Sequence, residues 1–382
     1  MKKGIIIGAG IGGLTTAIAL AQKGIQVKIY ERASEIKEVG AGVWIAPNGM
    51  KIFNRLGISQ EITAAGKKLN KISVVDLNYK PISVIDGSEI EAKHQFGTIA
   101  IHRATLQKIL ASKVNKDHIH LNKELVRYEQ NDQAISVFFE DGSSDVADFL
   151  ICADGLKSIA RKQMLGPQNL RYSGQTCWRF ATAYDLPLNE EDNMFEVWAN
   201  SKGLRVGYSK IDEKRVYVYI TNAKKFGEID PIDNAKNLLL AICKPFSNTV
   251  TGLIQTVDDN EIIQTDLFDF KPIKNWTEGR VALIGDAAHA TTPNLGQGAC
   301  QAIEDAWVLA EELSTNNEIA SGLVNFQKRR IEKATFITNT SWMFSKMTNT
   351  AGFMKTIVKM LLRATPAFIN TKQLDRIYSI ES

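Results

Sequence analysis

The stretch GIIIGAGIGGLTTAIALAQKGIQVKIYER (residues 4–32) decides the fold of this chain, because it predicts a complete βαβ unit. Residues 4–8 are typical of a short buried strand, and residues 13–23 form a helix-like pattern rich in Ala, Leu and Ile. Gly24 ends this helix, and the alternation in QVKIYER indicates a second strand. The unit has about the usual 30 residues, so the chain begins with a nucleotide-binding type of fold.

The turn between the first strand and the helix carries glycines in the G-x-G-x-x-G pattern at Gly8, Gly10 and Gly13. The first glycine allows the tight turn, the second lets backbone amides approach a pyrophosphate, and the third allows close helix packing. Glu31 lies at the end of the second strand, at the spacing expected for a carboxylate that binds ribose hydroxyls. An acidic side chain there disfavours a 2′-phosphate, so the ligand is NAD or FAD rather than NADP. We include the adjacent Arg32 in this predicted cofactor site.

A second glycine turn, GDAAHATTPNLGQG (residues 285–298), follows the apolar run RVALI and decides between these two cofactors. NAD would leave this turn unexplained, whereas FAD extends beyond its pyrophosphate into a ribityl chain and a ring. We predict that Asp286 binds ribityl hydroxyls and that Pro293, Gly296 and Gly298 pass along the ring. The helix that starts near Gln297 would point its positive end at the ring and stabilise charge formed on reduction. The alternative is an ordinary loop capped by Asp286.

The remaining chain predicts an α/β fold in which a Rossmann-type FAD-binding domain is interrupted by an antiparallel β-sheet substrate domain and followed by C-terminal helices. Short aromatic-rich strands begin near residue 172, and residues 71–86 have the same character. A hairpin at Asp141 and Gly142 precedes another buried strand. The predicted FAD-binding domain comprises residues 1–70, 99–171 and 273–330, the substrate domain comprises 71–98 and 172–272, and the C-terminal helices comprise 331–382.

Composition excludes several other classes of protein. The 382 residues carry a net charge of only +4, which gives no reason to expect nucleic acid as a partner. Four dispersed cysteines form no CxxC pair, so we expect neither disulfides nor a zinc site and favour a cytoplasmic location. His118 and His120 lack a third ligand nearby, and no apolar run is long enough to span a membrane. Because these two histidines have no third ligand nearby, no metal site is predicted.

Three motifs in order resemble the class A FAD-dependent monooxygenases, the family of p-hydroxybenzoate, salicylate and urate hydroxylases. They are GAGIGG with its downstream glutamate, ICADGLKSIAR (residues 151–161) and RVALIGDAAHATTPNLGQG (residues 280–298). The resemblance implies that Asp154 and Gly155 serve both the flavin and the pyridine-nucleotide sites. It also implies that Arg103, in HRATLQKIL, reaches the FAD pyrophosphate. The expected cofactors are FAD and, as a transient co-substrate, NADH or NADPH.

The same resemblance implies the reaction and its substrate side. NAD(P)H reduces FAD, O2 adds at C4a of the flavin, and the hydroperoxide transfers one oxygen atom to a small aromatic or heteroaromatic ring. Arg205 and Tyr217 match the arginine and tyrosine that take the catalytic positions facing the substrate, although a surface charge and a core aromatic would suit the same pattern. His289 suits a packed histidine better than a catalytic base. Alternative functions are a flavin oxidoreductase without oxygen insertion and a non-catalytic flavin-binding protein; the chain would act as a monomer or homodimer.

Overall fold

The structure is a computed structural model that describes residues 2–36, 41–231, 234–365 and 367–380. Its strands are β1 (Lys3–Ile7), β2 (Gln26–Tyr30), β3 (Gly42–Ile45), β4 (Lys67–Leu69), β5 (Lys71–Asp76), β6 (Pro81–Asp86), β7 (Thr98–His102), β8 (Ile119–His120), β9 (Leu125–Gln130), β10 (Ile135–Phe139), β11 (Ser144–Ala147), β12 (Phe149–Cys152), β13 (Leu170–Ala183), β14 (Asn193–Trp198), β15 (Arg205–Lys210), β16 (Arg215–Ala223), β17 (Ile263–Phe270), β18 (Thr277–Glu278) and β19 (Val281–Leu283). Its α-helices are α1 (Ile11–Gln22), α2 (Pro47–Arg55), α3 (Ser59–Ala65), α4 (Gly87–His94), α5 (Arg103–Ser112), α6 (Ile159–Leu165), α7 (Ala235–Ile242), α8 (Asn248–Thr256), α9 (Asp286–His289), α10 (Gly298–Thr315), α11 (Ile319–Thr348), α12 (Gly352–Ala364) and α13 (Ala367–Tyr378).

A six-stranded sheet in the order β18-β19-β12-β1-β2-β8 forms the centre of the nucleotide-binding fold. The strands β19, β12, β1, β2 and β8 run parallel, and only β18 is antiparallel to its neighbour. Ile7, at the end of β1, pairs with Cys152 on one side and Tyr30 on the other. The carboxyl ends of β1, β2, β12 and β19 therefore lie at one edge, where α/β folds bind their ligands.

A seven-stranded sheet in the order β17-β13-β16-β15-β14-β5-β6 forms the second layer. Residues 71–86 join it as the hairpin β5–β6, as the sequence predicted. The sheet is not wholly antiparallel, because β5 runs parallel to β14. These two strands are far apart in sequence and no tight turn joins them, so hairpin geometry does not fix their relative direction.

Two small sheets and the C-terminal helices complete the fold. The order β11-β10-β9 contains the predicted hairpin, with Gly142 at a φ of 82°, and β3-β7-β4 forms the other small sheet. Helix α11 continues without a break through position 330. Lys359 of α12 donates a hydrogen bond to the Trp198 carbonyl and so ties α12 to the seven-stranded sheet. No helix within the described residues is both long and apolar enough to cross a bilayer.

Candidate cofactor and substrate site

The three positions of the first turn are glycine for different structural reasons. Gly8 has a φ of 103°, and a Cβ there would lie 2.5 Å from the Ala153 carbonyl oxygen. A Cβ on Gly13 would lie 2.0 Å from the Gly8 carbonyl oxygen. A Cβ on Gly10, in contrast, would meet no protein atom within 4 Å. The open space beside Gly10, at the N-terminus of α1, suits the close approach of a phosphate group.

Glu31 is held beside this turn by backbone amides. Its Oε2 accepts a hydrogen bond from the Ala9 amide at 2.8 Å, and its Oε1 accepts one from the Ala33 amide at 2.9 Å. The carboxylate is therefore fixed at the end of β2, where the sequence placed it. Arg32 follows it with an exposed side chain.

The second turn is fixed by a buried carboxylate on α10. Asp305 accepts hydrogen bonds from the Gly285 amide at 2.9 Å and from Arg330 Nε at 2.9 Å, and it contacts His289 Nε2 at 2.5 Å. Burial disfavours the charge of Asp305, but His289 and Arg330 outweigh it and lower the pKa of this carboxyl to about 2. His289 is thus a buried partner of Asp305 that helps to hold the turn.

The two glycine turns meet at one residue of α10. A Cβ added to Gly12 of the first turn, or to Gly285 of the second, would lie 3.1 Å from Cβ of Ala302. Small residues are needed at all three positions for α1, α10 and the second turn to approach this closely. The two ends of the predicted FAD site are therefore assembled around the start of α10.

Asp286 and Asp154 lie near each other but differ in their partners. The Asp286 side chain is exposed and accepts no hydrogen bond within the described part of the chain. Asp154 Oδ2 accepts a hydrogen bond at 2.9 Å from the amide of Ile159, the first residue of α6, while Oδ1 is buried without a partner among the described residues. Burial raises the pKa of the Asp154 carboxyl. Arg161, beside both, donates to the Ala287 carbonyl at 2.9 Å.

A cavity of about 630 Å³ connects both glycine turns with the seven-stranded sheet. This volume is within the usual range for small-molecule and cofactor sites. The sequence-predicted residues that line it are Gly10, Arg103, Gly155, Arg205, Tyr217, Asp286, Pro293, Gly296 and Gly298. The cavity is not lined by the other predicted residues, which are Gly8, Gly13, Glu31, Arg32 and Asp154.

Arg103 is an unneutralised cation at the cofactor end of the cavity. It begins α5, where its amide donates to the Ala41 carbonyl at 3.1 Å. Its side chain is exposed and forms no ion pair with a carboxylate of the described residues. A guanidinium without an acidic partner suits the pyrophosphate that the family resemblance implies for it.

Arg205 projects from β15 onto the cavity face of the sheet, but its charge is already neutralised. It is 3% exposed, and its Nη1 lies 3.2 Å from Glu196 Oε1. Its Nε donates to Thr221 Oγ1 at 3.1 Å, and its Nη2 donates to Asn294 Oδ1. Although burial disfavours the charge of Glu196, the Arg205 guanidinium holds the pKa of that carboxyl below its usual value. Arg205 therefore links the sheet to the loop of the second turn.

Tyr217 lies on the same face, next to aromatic side chains. Its ring centroid is 6.2 Å from that of Trp44 and 6.0 Å from that of Tyr219. Its ring also packs on the backbone of Gly42, where a Cβ would lie 2.5 Å away. Burial raises the pKa of the Tyr217 hydroxyl to about 12, even though Arg179 beside it favours the phenolate. Tyr217 is therefore a neutral hydroxyl at physiological pH.

The cavity is also lined by residues that were not predicted as site residues, among them Trp44, Arg179 and Asn294. Alternation along CWRFATA places Arg179 on the same face as Cys177 and Ala181, and this was the one signal available for it. Trp44 donates from Nε1 to Ser209 Oγ at 3.1 Å and so joins β3 to the sheet. Nothing in the local sequence around Trp44 or Asn294 indicates these contacts, because their partners are remote in the chain.

These residues fit FAD. Gly10 leaves open space at a helix N-terminus, and the same cavity is lined by Arg103 and Asp286, whose side chains form no ion pair within the described residues. Beyond Asp286, the loop at residues 293–298 leads into α10, whose first-turn amides have no partner inside the helix. These groups are of the kinds that would bind the pyrophosphate, the ribityl hydroxyls and the ring of FAD.

Comparison with known proteins agrees with the assignment of FAD to this site. The family model described as FAD binding domain matches residues 2–321. The chain is 36% identical to aurachin C monooxygenase/isomerase of Stigmatella aurantiaca, covering 87% of each chain. It is 32% identical to the FAD-dependent urate hydroxylase of Klebsiella pneumoniae, covering 87% of this chain and 86% of the relative.

A solved structure shows the same architecture. The crystal structure of Klebsiella pneumoniae HpxO complexed with FAD and uric acid superposes with a TM-score of 0.92 and 28% identity. The superposition covers 98% of this chain and 96% of that one.

Proposed function

Because this chain belongs to the class A FAD-dependent aromatic monooxygenases, we propose that it hydroxylates a small aromatic or heteroaromatic ring at the sheet side of the cavity. It is an FAD-dependent oxidoreductase that uses NADH or NADPH as a transient co-substrate, together with O2. The observation that carries the proposal is the continuous cavity bounded by both glycine turns and by the seven-stranded sheet.

The chain's own residues hold the cofactor in this proposal. When bound, FAD takes two electrons from NAD(P)H and, with O2, supplies the oxygen atom that enters the ring. The amides at Gly10 and the guanidinium of Arg103 would bind the pyrophosphate, and Asp286 would bind the ribityl hydroxyls. The N-terminus of α10 would stabilise negative charge on the flavin ring.

At the substrate end, Tyr217 presents a neutral hydroxyl, and Arg205 positions the loop through Asn294. Tyr217 can donate a hydrogen bond to a substrate oxygen or accept one from a substrate hydroxyl. Trp44 and Tyr219 close the same wall with apolar rings. Such a wall excludes water, which would otherwise release peroxide in place of hydroxylated product.

We also propose that the enzyme acts in the cytoplasm as a monomer or homodimer. All four cysteines are free and buried, which is compatible with a reducing compartment. The division into an FAD-binding domain, a substrate domain and C-terminal helices remains part of the same proposal.

The test is NADH and NADPH oxidation by the FAD-loaded enzyme, with peroxide measured in parallel. The panel contains urate, 3-hydroxybenzoate, 6-hydroxynicotinate and simple phenols. The proposal expects one compound to accelerate oxidation while peroxide stays low and a hydroxylated product accumulates. If compounds bind and oxidation proceeds but only peroxide forms, the chain is an oxidoreductase without oxygen insertion.

A further inference from the structure

Two arginines project from the seven-stranded sheet into the cavity, and their charges are balanced differently. Arg205 contacts both oxygens of Glu196, at 3.2 and 3.3 Å, and both side chains are buried. A buried ion pair of this kind leaves almost no net charge for a ligand. Arg205 also uses Nε on Thr221 and Nη2 on Asn294, so few of its donors remain.

Arg179, on β13, occupies the same face. The sheet register places it opposite Tyr219 of β16, two residue pairs away from Tyr217 and on the same face. Its Nη1 donates to Thr265 Oγ1 of β17 at 2.6 Å, and its guanidinium also contacts the Tyr217 hydroxyl. Both neighbours are neutral hydroxyl groups. Within the described residues, no carboxylate forms an ion pair with Arg179.

The positive charge of Arg179 is therefore not neutralised by a carboxylate of the described residues and can attract an anionic ligand. It lines the cavity and keeps partial exposure, whereas Arg205 is buried in its network. A guanidinium has five donors in a planar fork, and the contacts with Thr265 and Tyr217 use two of them. The remaining donors can form a bidentate pair with a carboxylate or a ring oxyanion.

We propose that Arg179, with Tyr217 and Thr265, forms an anion subsite that selects negatively charged aromatic substrates over neutral ones. This inference rests on the proposed function, since it assigns the substrate's charge within the same site. Arg205 is then a positioning residue for the loop at Asn294. A charge-assisted bidentate contact in a partly desolvated site corresponds to about a 10- to 100-fold preference for the anion.

The experiment compares matched acids and amides as ligands of the FAD-loaded enzyme. The probes are 3-hydroxybenzoate against 3-hydroxybenzamide, and 6-hydroxynicotinate against 6-hydroxynicotinamide. Binding is followed by the change in flavin absorbance, independently of turnover. The wild-type enzyme should bind the acids at least about tenfold more tightly than the amides. Arg179→Gln should bring this ratio to about one, and Arg179→Lys should keep part of it.

Arg215→Gln is the matched control, because it removes one positive charge from the same sheet outside the cavity. Arg215 pairs with Asp212 at 2.7 Å, and its variant should keep the wild-type ratio. A wild-type ratio near one, or an unchanged ratio in Arg179→Gln, would overturn the inference. So would a loss of FAD from Arg179→Gln, which would assign this arginine to the cofactor. Failure of the proposed function looks different: the acid preference would persist, but no hydroxylated product would form.

Discussion

The substitution Asp305→Asn tests whether the second glycine turn depends on the carboxylate behind it. Asp305 is fully buried and receives the Gly285 amide, His289 and Arg330. Its pKa falls from an ordinary 3.8 to about 2, which corresponds to about 2 kcal/mol of stability at neutral pH. Leaving Arg330 with one fewer charged partner raises the expected loss in unfolding free energy to about 3 kcal/mol.

The pH dependence of this loss has a definite sign. Because the folded-state pKa is below the unfolded value, the stabilisation by Asp305 is complete above about pH 4 and disappears as the pH falls through about 2. The deficit of Asp305→Asn relative to the wild type should therefore shrink by about 1 kcal/mol between pH 7 and pH 3. Urea unfolding of FAD-free protein, followed by tryptophan fluorescence, measures both values.

Asp192→Asn is the control for Asp305→Asn. The Asp192 carboxylate is half exposed and lies 3.4 Å from Lys67, so its loss should cost less than about 1 kcal/mol. Asp305→Asn should also weaken FAD binding in a fluorescence titration, while Asp192→Asn should not. Equal stability of the two variants, or a deficit of Asp305→Asn that does not change with pH, would refute the reasoning.

Four further predictions concern the cofactor site. Gly13→Ala should cost at least about 3 kcal/mol in unfolding free energy, because its Cβ would lie 2.0 Å from a carbonyl oxygen. Gly10→Ala should keep the melting temperature of the FAD-free protein but weaken FAD about tenfold, since its Cβ enters open space meant for the phosphate; equal melting temperatures of the two alanine variants would contradict this. In FAD titrations, Asp286→Ala should lower affinity more than Arg205→Ala, and the reverse order would contradict the assigned positions. Arg103→Gln should lower FAD affinity about 10- to 100-fold and make this affinity less dependent on salt. An affinity equal to that of the wild type would contradict the assignment of Arg103 to the pyrophosphate.

The features that the sequence predicted well are those set by local spacing. The βαβ unit, the two glycine turns and the hairpin at Gly142 depend on residues a few positions apart, so their patterns are visible in one stretch of chain. FAD followed from the existence of two such turns, and the family match confirms it. The roles of individual site residues stay predictions.

The features that the sequence did not reveal depend on residues distant in the chain. The neutralisation of Arg205 needs Glu196 from the neighbouring strand, and the rigidity of Gly285 needs Asp305 from α10. The parallel pairing of β5 with β14 leaves no signal in either strand. Alternation along β13 indicates only the face of the sheet on which Arg179 lies. It gives no information on whether an arginine has an acidic partner.

The central claim is that this chain transfers one oxygen atom from O2 to an aromatic ring. The most direct measurement is mass spectrometry of the product formed by the FAD-loaded enzyme with NADH under ¹⁸O2, using whichever panel compound accelerates NADH oxidation without peroxide release. The account predicts one ¹⁸O atom in the hydroxylated product and an equal amount of NADH consumed. A product that takes its oxygen from water, or an unlabelled product formed by electron transfer alone, would contradict it.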